Sequence, residues 1–254
     1  LTPGLGMAAT SVFAGVLIAK SGGFGLPMWV GVLGGLAAGA LLGLINGVLV
    51  AYIKMQPMIA TLGMMSIARG AALTLAGGRT ISGYPPGFTW LGNGTIPGTT
   101  IPVQIVFMLL LYVIAYYFMR YRRFGRALYS VGGNEEATRL SGINVFKYKT
   151  LAYTVSGALA GIASVVLVAK LNSAQSIAGQ DYELDAIASA VIGGASLLGG
   201  KGSIWGTLMG ALIIGVIRNG LNLLNVSSYL QKLIIGFIIL IAVLVDAFRN
   251  RERS

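Results

Sequence analysis

Apolar runs of membrane-spanning length recur along this chain and constrain its fold more than any other feature. A helix needs about 20 residues to cross the hydrocarbon core of a bilayer, and the length of each run is close to this number. Charged residues make up 10% of the sequence, against about 25% in soluble domains. We therefore predict an all-α, polytopic membrane protein with one transmembrane domain over residues 1–254 and eight spans. The predicted spans are Pro3–Ala19, Met28–Ile53, Pro57–Ala76, Val103–Met119, Leu151–Ala169, Leu184–Leu198, Ile204–Leu224 and Tyr229–Phe248.

Glycine is unusually frequent in these segments, with 38 residues in the chain. The sixth segment is the shortest and ends in GGASLLGGKGS, which suggests a broken helix. Small residues at a spacing of four let a second helix backbone approach closely. We interpret this spacing as tight packing, with helix sliding during transport as the alternative. The glycines concerned are Gly31, Gly35, Gly39, Gly43 and Gly47, together with the pairs Gly157/Gly161 and Gly206/Gly210.

Lysine and arginine divide unevenly between the two sets of loops. With the C-terminal run RNRERS placed inside, the outside loops hold only Lys20, Arg79 and Lys170. The inside loops hold Lys54, Arg120, Arg122, Arg123, Arg126, Arg139, Lys147, Lys149, Lys201, Arg249, Arg251 and Arg253. Cytoplasmic loops are enriched in positive charge, so residues 124–149 are predicted to face the cytoplasm and residues 77–102, 172–182 and 225–228 the outside. The net charge of +11 then reflects these loops and anionic lipid rather than nucleic-acid binding.

The polar segment Phe124–Lys149, between the fourth and fifth spans, carries signals for a short helix of roughly two turns. Asn134 is a typical N-cap residue, and Glu135 and Glu136 follow in the first turn, where the helix dipole favours negative charge. Gly142 supplies a stop signal. A helix of this kind is a candidate contact for a cytoplasmic partner, and an ordinary interfacial helix is the alternative.

The chain shows no chemistry of its own. It has no cysteine and no histidine, so disulfides are absent and the commonest metal ligand is missing. The sequence GGKGS around Lys201 lacks the G-x-x-x-x-G-K-[ST] pattern of a phosphate-binding loop, because Gly202 follows the lysine. We predict no catalytic site and no bound metal or cofactor. Any energy source is then an ion gradient or another subunit.

Few ionisable groups lie in or near the apolar runs. Arg69 and Arg218 lie inside them, and such charges usually face a partner or a wet cavity. An acidic cluster, formed by Asp181, Glu183 and Asp185, stands at the outer start of the sixth segment. For Asp181 and Asp185, capping of a helix start is the favoured interpretation. The residues predicted to line a translocation path are Arg69, Asn219, Asn222 and Asp185. For Arg69 the alternative is snorkelling or pairing within the bundle, and for Arg218, Asn219 and Asn222 it is hydrogen bonding to neighbouring helices.

Long motifs in the second half resemble the membrane permease of bacterial ribose-type ABC importers. They are GGNEEATRLSGINVFKYK and SAQSIAGQDYELDAIASAVIGGASLLGGKGSIWGTLMGALIIGVIRNGLNLLNVSSYLQKLIIGFIILIAVLVD. The resemblance extends to IATLGMMSIARG (Ile59–Gly70) and GGR (Gly77–Arg79). The opening LTPG resembles the end of the family's G-I-D-L-S-V-G segment, and Pro3 departs from it. Because the family has about ten spans and this chain opens without a methionine, we expect that a natural N-terminal part is missing.

The resemblance implies an ATP-driven importer in the inner membrane. A permease of this family works as a dimer with a cytoplasmic ABC ATPase, which binds ATP and Mg²⁺, and receives a monosaccharide from a periplasmic binding protein. The implied sugar is ribose first, with xylose, galactose, arabinose, inositol and autoinducer-2 open. The implied ATPase-coupling residues are Gly133, Asn134, Glu135, Glu136, Ala137, Arg139, Leu140, Ser141, Gly142 and Ile143. The expected contacts with the binding protein are Tyr84, Trp90, Asn93 and Gln175.

A secondary, ion-coupled transporter is the main alternative. It would need membrane-buried carboxylates as ion sites, and only the acidic cluster qualifies, near the end of a span. An intramembrane enzyme is disfavoured because histidine, cysteine and a catalytic set are all missing.

The charge asymmetry generates a topology prediction. Because the chain has no cysteine, single cysteines at Ser130 and Thr95 can be labelled cleanly. In cells stripped of the outer membrane, a membrane-impermeant maleimide should label the cysteine at position 95 and spare the one at position 130. The opposite pattern would show that the orientation is reversed.

Overall fold

A computed structural model gives the fold and describes residues 2–19, 24–175, 179–197 and 199–251. Within this part of the chain, eleven helices account for nearly all the regular structure. They are α1 (Thr2–Ile18), α2 (Met28–Ala51), α3 (Pro57–Ala76), α4 (Pro86–Asn93), α5 (Val103–Tyr121), α6 (Arg123–Gly133), α7 (Glu135–Leu140), α8 (Val145–Leu171), α9 (Tyr182–Ile192), α10 (Ile204–Leu223) and α11 (Ser228–Arg251). The all-α prediction is confirmed. Lys20, Arg253 and the predicted end of the sixth segment at Leu198 lie outside the described residues.

Among the described residues, five helices are long and apolar enough to cross a membrane, namely α2, α3, α5, α8 and α10. Shorter apolar stretches occupy Met7–Ile18 and Ser228–Leu244. The sixth predicted span forms only the 11-residue helix α9, about 16 Å long at 1.5 Å per residue. It ends at Ile192 and is followed by two glycines, of which Gly194 has a positive φ of 85°, so the predicted break is present.

The chain divides into two compact units. Unit 1 comprises residues 1–111 and 144–183, and unit 2 comprises residues 112–143 and 184–254. The prediction of one domain over residues 1–254 stays a prediction. The core of unit 1 includes Val12 and Ile18 of α1, Ala72 of α3, and Val165 and Val168 of α8.

The glycine stripe of α2 brings that helix against α8. A Cβ atom on Gly39 would collide with the carbonyl oxygen of Gly157, and one on Gly43 with the carbonyl oxygen of Tyr153. One turn further on, a Cβ on Gly47 would lie 2.8 Å from Cα of Thr150. The tight packing predicted for the stripe is therefore confirmed. At its first position the stripe meets α1 instead, because Gly31 faces the Ile18 side chain.

Loops predicted to share a side of the membrane meet at the same end of unit 1. After α3, β1 (Ile81–Ser82) pairs antiparallel with β2 (Ser173–Ala174), which follows α8. Arg79 and Lys170 therefore lie near one end of α8. At its other end Tyr52, beside Lys54, stacks on Phe146 with ring centroids 5.5 Å apart. This arrangement agrees with the grouping of loops derived from charge.

Helix α8 begins six residues before the predicted Leu151, at Val145. The oxygen of the Asn144 side chain accepts a hydrogen bond from Lys147 N at 3.0 Å and so caps the helix start. Its 27 residues form a helix about 40 Å long. This length exceeds the thickness of the hydrocarbon core, which is about 30 Å. The first turns, with Lys147 and Lys149, thus form a polar extension of the span.

In unit 2, α9 and α10 form an antiparallel hairpin packed through small residues. A Cβ on Gly206 would collide with the carbonyl oxygen of Gly193, and one on Gly210 with the carbonyl oxygen of Ser189. These contacts confirm the close approach predicted for Gly206 and Gly210. They also fix the register of the hairpin. Gly193 faces Gly206 and Ser189 faces Gly210, so the numbers of two facing residues have a constant sum.

The α2–α8 contact generates a prediction about stability. Gly43→Ala should destabilise the protein by roughly 1–3 kcal/mol, the usual cost of overpacking, because the added methyl group meets the Tyr153 backbone. Gly63→Ala in α3 is the matched control, since no atom of the described residues lies within 4 Å of its added Cβ. Thermal stability in detergent, measured by fluorescence-detected size exclusion, should fall for Gly43→Ala only. Equal stability of the two variants would contradict the packing argument.

Candidate functional site

Helix α6 leads from the end of α5 to the predicted coupling helix. The turn between α5 and α6 is tight because Gly125 packs directly on the Met119 backbone, where a Cβ atom would collide. Ala127 and Val131 lie one turn apart on the buried face of α6. The sequence pattern predicts a loop for this stretch, whereas the structure has a helix. The signal available was the four-residue spacing of these apolar side chains.

The predicted helix at Asn134 is present as α7, Glu135–Leu140. The side-chain oxygen of Asn134 accepts a hydrogen bond from Ala137 N at 2.9 Å, as an N-cap residue does. Glu135 and Glu136 occupy the first turn. At the other end Gly142 has a φ of 81°, and its N–H donates to the Arg139 carbonyl at 3.0 Å. The helix, its cap and its glycine stop are thus confirmed as structure, whereas the coupling role stays a prediction.

Almost the whole surface of α7 faces outward. Thr138 is its one buried residue, and its hydroxyl donates to the Asn134 carbonyl at 2.7 Å. Glu136 and Arg139 are exposed and form only a loose pair, with 3.9 Å between their charged atoms. Leu140 is 80% exposed. Leu140 is the last residue of α7 and follows the exposed Arg139, so an apolar and a charged side chain are both accessible to a partner.

Of the residues expected to contact a binding protein, Tyr84 is buried. Only 8% of the residue is exposed, and its ring packs against Phe88 with centroids 5.2 Å apart. Burial raises the pKa of Tyr84 to about 12, although a hydrogen bond involving the Ala174 backbone opposes the shift. A surface contact through Tyr84 is therefore corrected to a packing role within unit 1, because the loop folds back onto α1 and β2.

Trp90, Asn93 and Gln175 lie at the same end of unit 1. Trp90 is 51% exposed. The Asn93 amide donates to the carbonyls of Ala169 and Lys170, at 3.3 and 3.1 Å, and thereby closes the end of α8. The Gln175 amide donates weakly to the Ser173 hydroxyl at 3.4 Å. Trp90 is thus the member of this group with a large exposed side chain.

The predicted capping of α9 by Asp185 is wrong, because Asp185 is the fourth residue of that helix. Its carboxylate instead forms a salt bridge with Arg218 of α10. A terminal guanidinium nitrogen of Arg218 lies 2.7 Å from each carboxylate oxygen of Asp185. The hairpin register places Ile214 opposite Asp185, so Arg218 lies one turn away. Side chains lean toward the N-terminus of their own helix. In an antiparallel pair, the two side chains therefore lean toward each other.

The other residues of the acidic cluster behave differently. Asp181 directly precedes α9 with a left-handed φ of 70°, rather than the extended backbone usual for an N-cap. Glu183 is buried, and its Oε2 atom accepts no hydrogen bond in the described part of the chain.

The remaining predicted path residues are not gathered into one site by the structure. Arg69 of α3 is half-buried, and no ion pair to it is found among the described residues. Asn219 is exposed near the end of α10. Asn222 is also exposed, and its side-chain oxygen accepts a hydrogen bond from the Gln231 amide at 2.9 Å. For Asn222 the hydrogen-bonding alternative is therefore present, joining α10 to α11.

Comparison with known proteins identifies the family. Residues 4–243 match the family model described as branched-chain amino acid transport system / permease component. The chain belongs to this family. It is accordingly a multi-pass permease of the bacterial inner membrane.

Individual relatives cover almost the whole chain. Ribose import permease RbsC of Escherichia coli (strain K12) is 46% identical over 252 residues, which are 97% of this chain and 78% of that protein. RbsC of Haemophilus influenzae is 44% identical over 259 aligned positions, covering 100% of this chain and 80% of the relative. The D-allose transport system permease AlsC of Escherichia coli (strain K12) is 38% identical, covering 95% and 74%. No solved structure matches the chain.

The Asp185–Arg218 pair generates a stability prediction. Arg218→Met should destabilise the permease by roughly 1–3 kcal/mol, because it leaves the Asp185 carboxylate without its partner. The cost is below the about 3–5 kcal/mol of a fully buried pair, since the Arg218 side chain is 36% exposed. The double variant Asp185→Asn/Arg218→Met should regain most of the thermal stability measured in detergent. A double variant as unstable as the sum of the single ones would show that the pair is not coupled.

Proposed function

We propose that this chain is the permease subunit of an ABC importer that moves ribose into the cytoplasm, using ATP hydrolysed by a partner subunit. The observation that carries the proposal is its 44–46% identity with two ribose import permeases over nearly the full chain. The family description refers to branched-chain amino acids, but these closer relatives and AlsC are sugar permeases. Ribose is therefore the first substrate to test, and D-allose the second.

The proposed complex contains two copies of the permease, a cytoplasmic ATPase that binds ATP and Mg²⁺, and a periplasmic sugar-binding protein. In this complex α7 is the coupling helix. Its exposed Leu140 would enter an apolar pocket of the ATPase, while Glu136 and Arg139 would pair with polar groups at the rim. The cap at Asn134 and the stop at Gly142 support this role, because they hold a six-residue helix in shape without burying it. The outer end of unit 1, with Trp90 exposed, would receive the binding protein.

The sugar path is proposed to pass the outer third of α10. Asn219 lies four residues from the last residue of α10, and its exposed amide has no hydrogen-bond partner among the described residues. An amide left unsatisfied in hydrocarbon is costly, so a wet path or a second permease is the favoured neighbour. Asn222 and the Asp185–Arg218 pair would add hydrogen-bonding groups for sugar hydroxyls. Arg69 stays a separate predicted path residue in unit 1.

Transport in proteoliposomes tests the function. The permease reconstituted with its ATPase and its ribose-loaded binding protein should accumulate radiolabelled ribose only when ATP is supplied. The permease alone should accumulate none. Uphill transport driven by a proton or sodium gradient without the ATPase would contradict the proposal and favour a secondary transporter. Unlabelled D-allose should compete poorly if ribose is the substrate.

The coupling helix generates a prediction about ATPase binding. Leu140→Asp should weaken capture of the ATPase by about ten-fold or more, the usual scale for loss of an apolar anchor. Reversing both charges with Glu135→Lys and Arg139→Glu should weaken it further, while membrane insertion stays intact. Leu171→Asp is the matched control. Leu171 is also exposed, but it is the last residue of α8 and lies at the predicted outer end of unit 1. Wild-type capture by the Leu140 variant, with permease amounts matched, would show that α7 is not the contact.

A further inference from the structure

Four glycines of unit 2, two at the end of α6 and two in the loop between α9 and α10, pack backbone against backbone. Gly132 and Gly133 end α6 immediately before the cap of α7, and Gly199 and Gly200 lie between α9 and α10. A Cβ on Gly132 would lie 2.6 Å from Gly200 N, and one on Gly200 would lie 2.8 Å from Gly133 Cα. A Cβ on Gly199 would lie 2.6 Å from the Gly132 carbonyl oxygen. We call these four residues the glycine seam.

The α9–α10 loop is held at the seam by defined hydrogen bonds. The Tyr129 hydroxyl of α6 donates to the Gly202 carbonyl at 3.1 Å. Within the loop, Ser196 N donates to the Lys201 carbonyl at 3.0 Å, and Gly199 N donates to the Ser196 carbonyl at 3.2 Å. Gly199 and Gly200 have φ values of 92° and 74°, a conformation that glycine adopts without strain. The described part of the loop is therefore shaped to fit α6.

The same loop continues into a hairpin that is itself rigidly packed. Gly193 and Gly206 meet backbone to backbone just beyond the loop, and Ser189 and Gly210 meet one turn further. Because backbone atoms make these contacts, no side chain can change its rotamer to absorb a displacement. Closely packed elements shift as bodies rather than deforming continuously. A displacement of Gly133 would thus move Gly200, and with it the start of α10.

We propose that the glycine seam is the contact through which movement of α7 reaches the α9–α10 hairpin and its Asp185–Arg218 pair. The proposal rests on the proposed function, in which an ATPase moves α7. Gly132, Gly199 and Gly200 are then positioning residues. They act through the hairpin and touch neither nucleotide nor sugar. Binding of the ATPase depends on the exposed face of α7, so the seam affects the step that follows binding.

We call this transmission of movement from α7 through the glycine seam to the hairpin the relay. Matched glycine substitutions in the complete reconstituted complex test it. Gly132→Ala enters the seam, whereas Gly215→Ala in α10 adds the same methyl group where no atom of the described residues lies within 4 Å. Gly199→Ala enters the seam at a φ of 92°. Gly194→Ala has a similar φ of 85° and no neighbour within 4 Å in the described part of the chain. Each pair therefore differs in the contact and not in the backbone cost. The measurements are ATPase capture, basal ATP hydrolysis, and ribose transported per ATP hydrolysed.

The seam variants should keep ATPase capture and basal hydrolysis within about two-fold of wild type, yet lose about ten-fold in ribose transported per ATP. Their controls should stay near wild type on all three measurements. Seam variants that match their controls would overturn the relay, and so would loss of ATPase capture in step with transport. If the wild-type complex shows no ATP-dependent uptake, the proposed function fails and the relay falls with it. If wild type is active, only the relay is at issue.

A variant that adds no atoms tests the relay even where a glycine substitution prevents folding. Tyr129→Phe removes the hydrogen bond to Gly202 without adding any atom, and should lower ribose transported per ATP by about three-fold at normal ATPase capture. Where a seam glycine variant fails to accumulate in the membrane, this variant decides the question. Unchanged transport per ATP would then overturn the relay.

Discussion

Close approach between helix backbones is the constraint on which this structure depends. In a lipid environment, apolar side chains gain little by leaving lipid for one another, so helices associate through tight van der Waals contact and scattered hydrogen bonds. In unit 1 that contact is the glycine stripe of α2 against α8, with Gly39 beside Gly157. Hydrogen bonds supplement it, since the Thr150 hydroxyl donates to the Gly47 carbonyl at 3.3 Å and the Thr10 hydroxyl donates to Ser164 at 2.8 Å. Many large apolar side chains can therefore remain exposed for lipid.

Outside the spans, short helices depend on local chemistry instead. A six-residue helix is far below the length at which helices are stable in water, and α7 buries only Thr138. Its order therefore comes from the Asn134 cap, the Gly142 turn and its attachment to α6. This arrangement leaves the charged and apolar side chains of α7 facing outward, which is the condition that a docking helix requires. The seam beneath it then connects that exposed element to the hairpin.

Features encoded by local patterns could be predicted from the sequence. The long spans follow from apolar runs, and α7 follows from a cap, an acidic first turn and a glycine within nine residues. The α2 stripe follows from spacing, although its partner α8 does not. Helices α4 and α6 were missed because they are short and lie in polar connections, where their apolar spacing is weak evidence. The burial of Tyr84 was missed because it depends on how a loop folds back onto α1.

The Asp185–Arg218 pair shows most clearly what pattern alone leaves open. The two residues are 33 positions apart, and each looked in isolation like a cap or a lone intramembrane charge. Their pairing depends on the register of α9 against α10, which is set by contacts at Gly193–Gly206 and Ser189–Gly210. Sliding of one helix along the other would take the residues at these contacts out of register. A short, directional ion pair resists such sliding, because a shift of one turn, about 5.4 Å, would separate the charges in a medium of low polarity. The small residues thus set the register in which the hairpin closes, and the ion pair opposes the loss of that register.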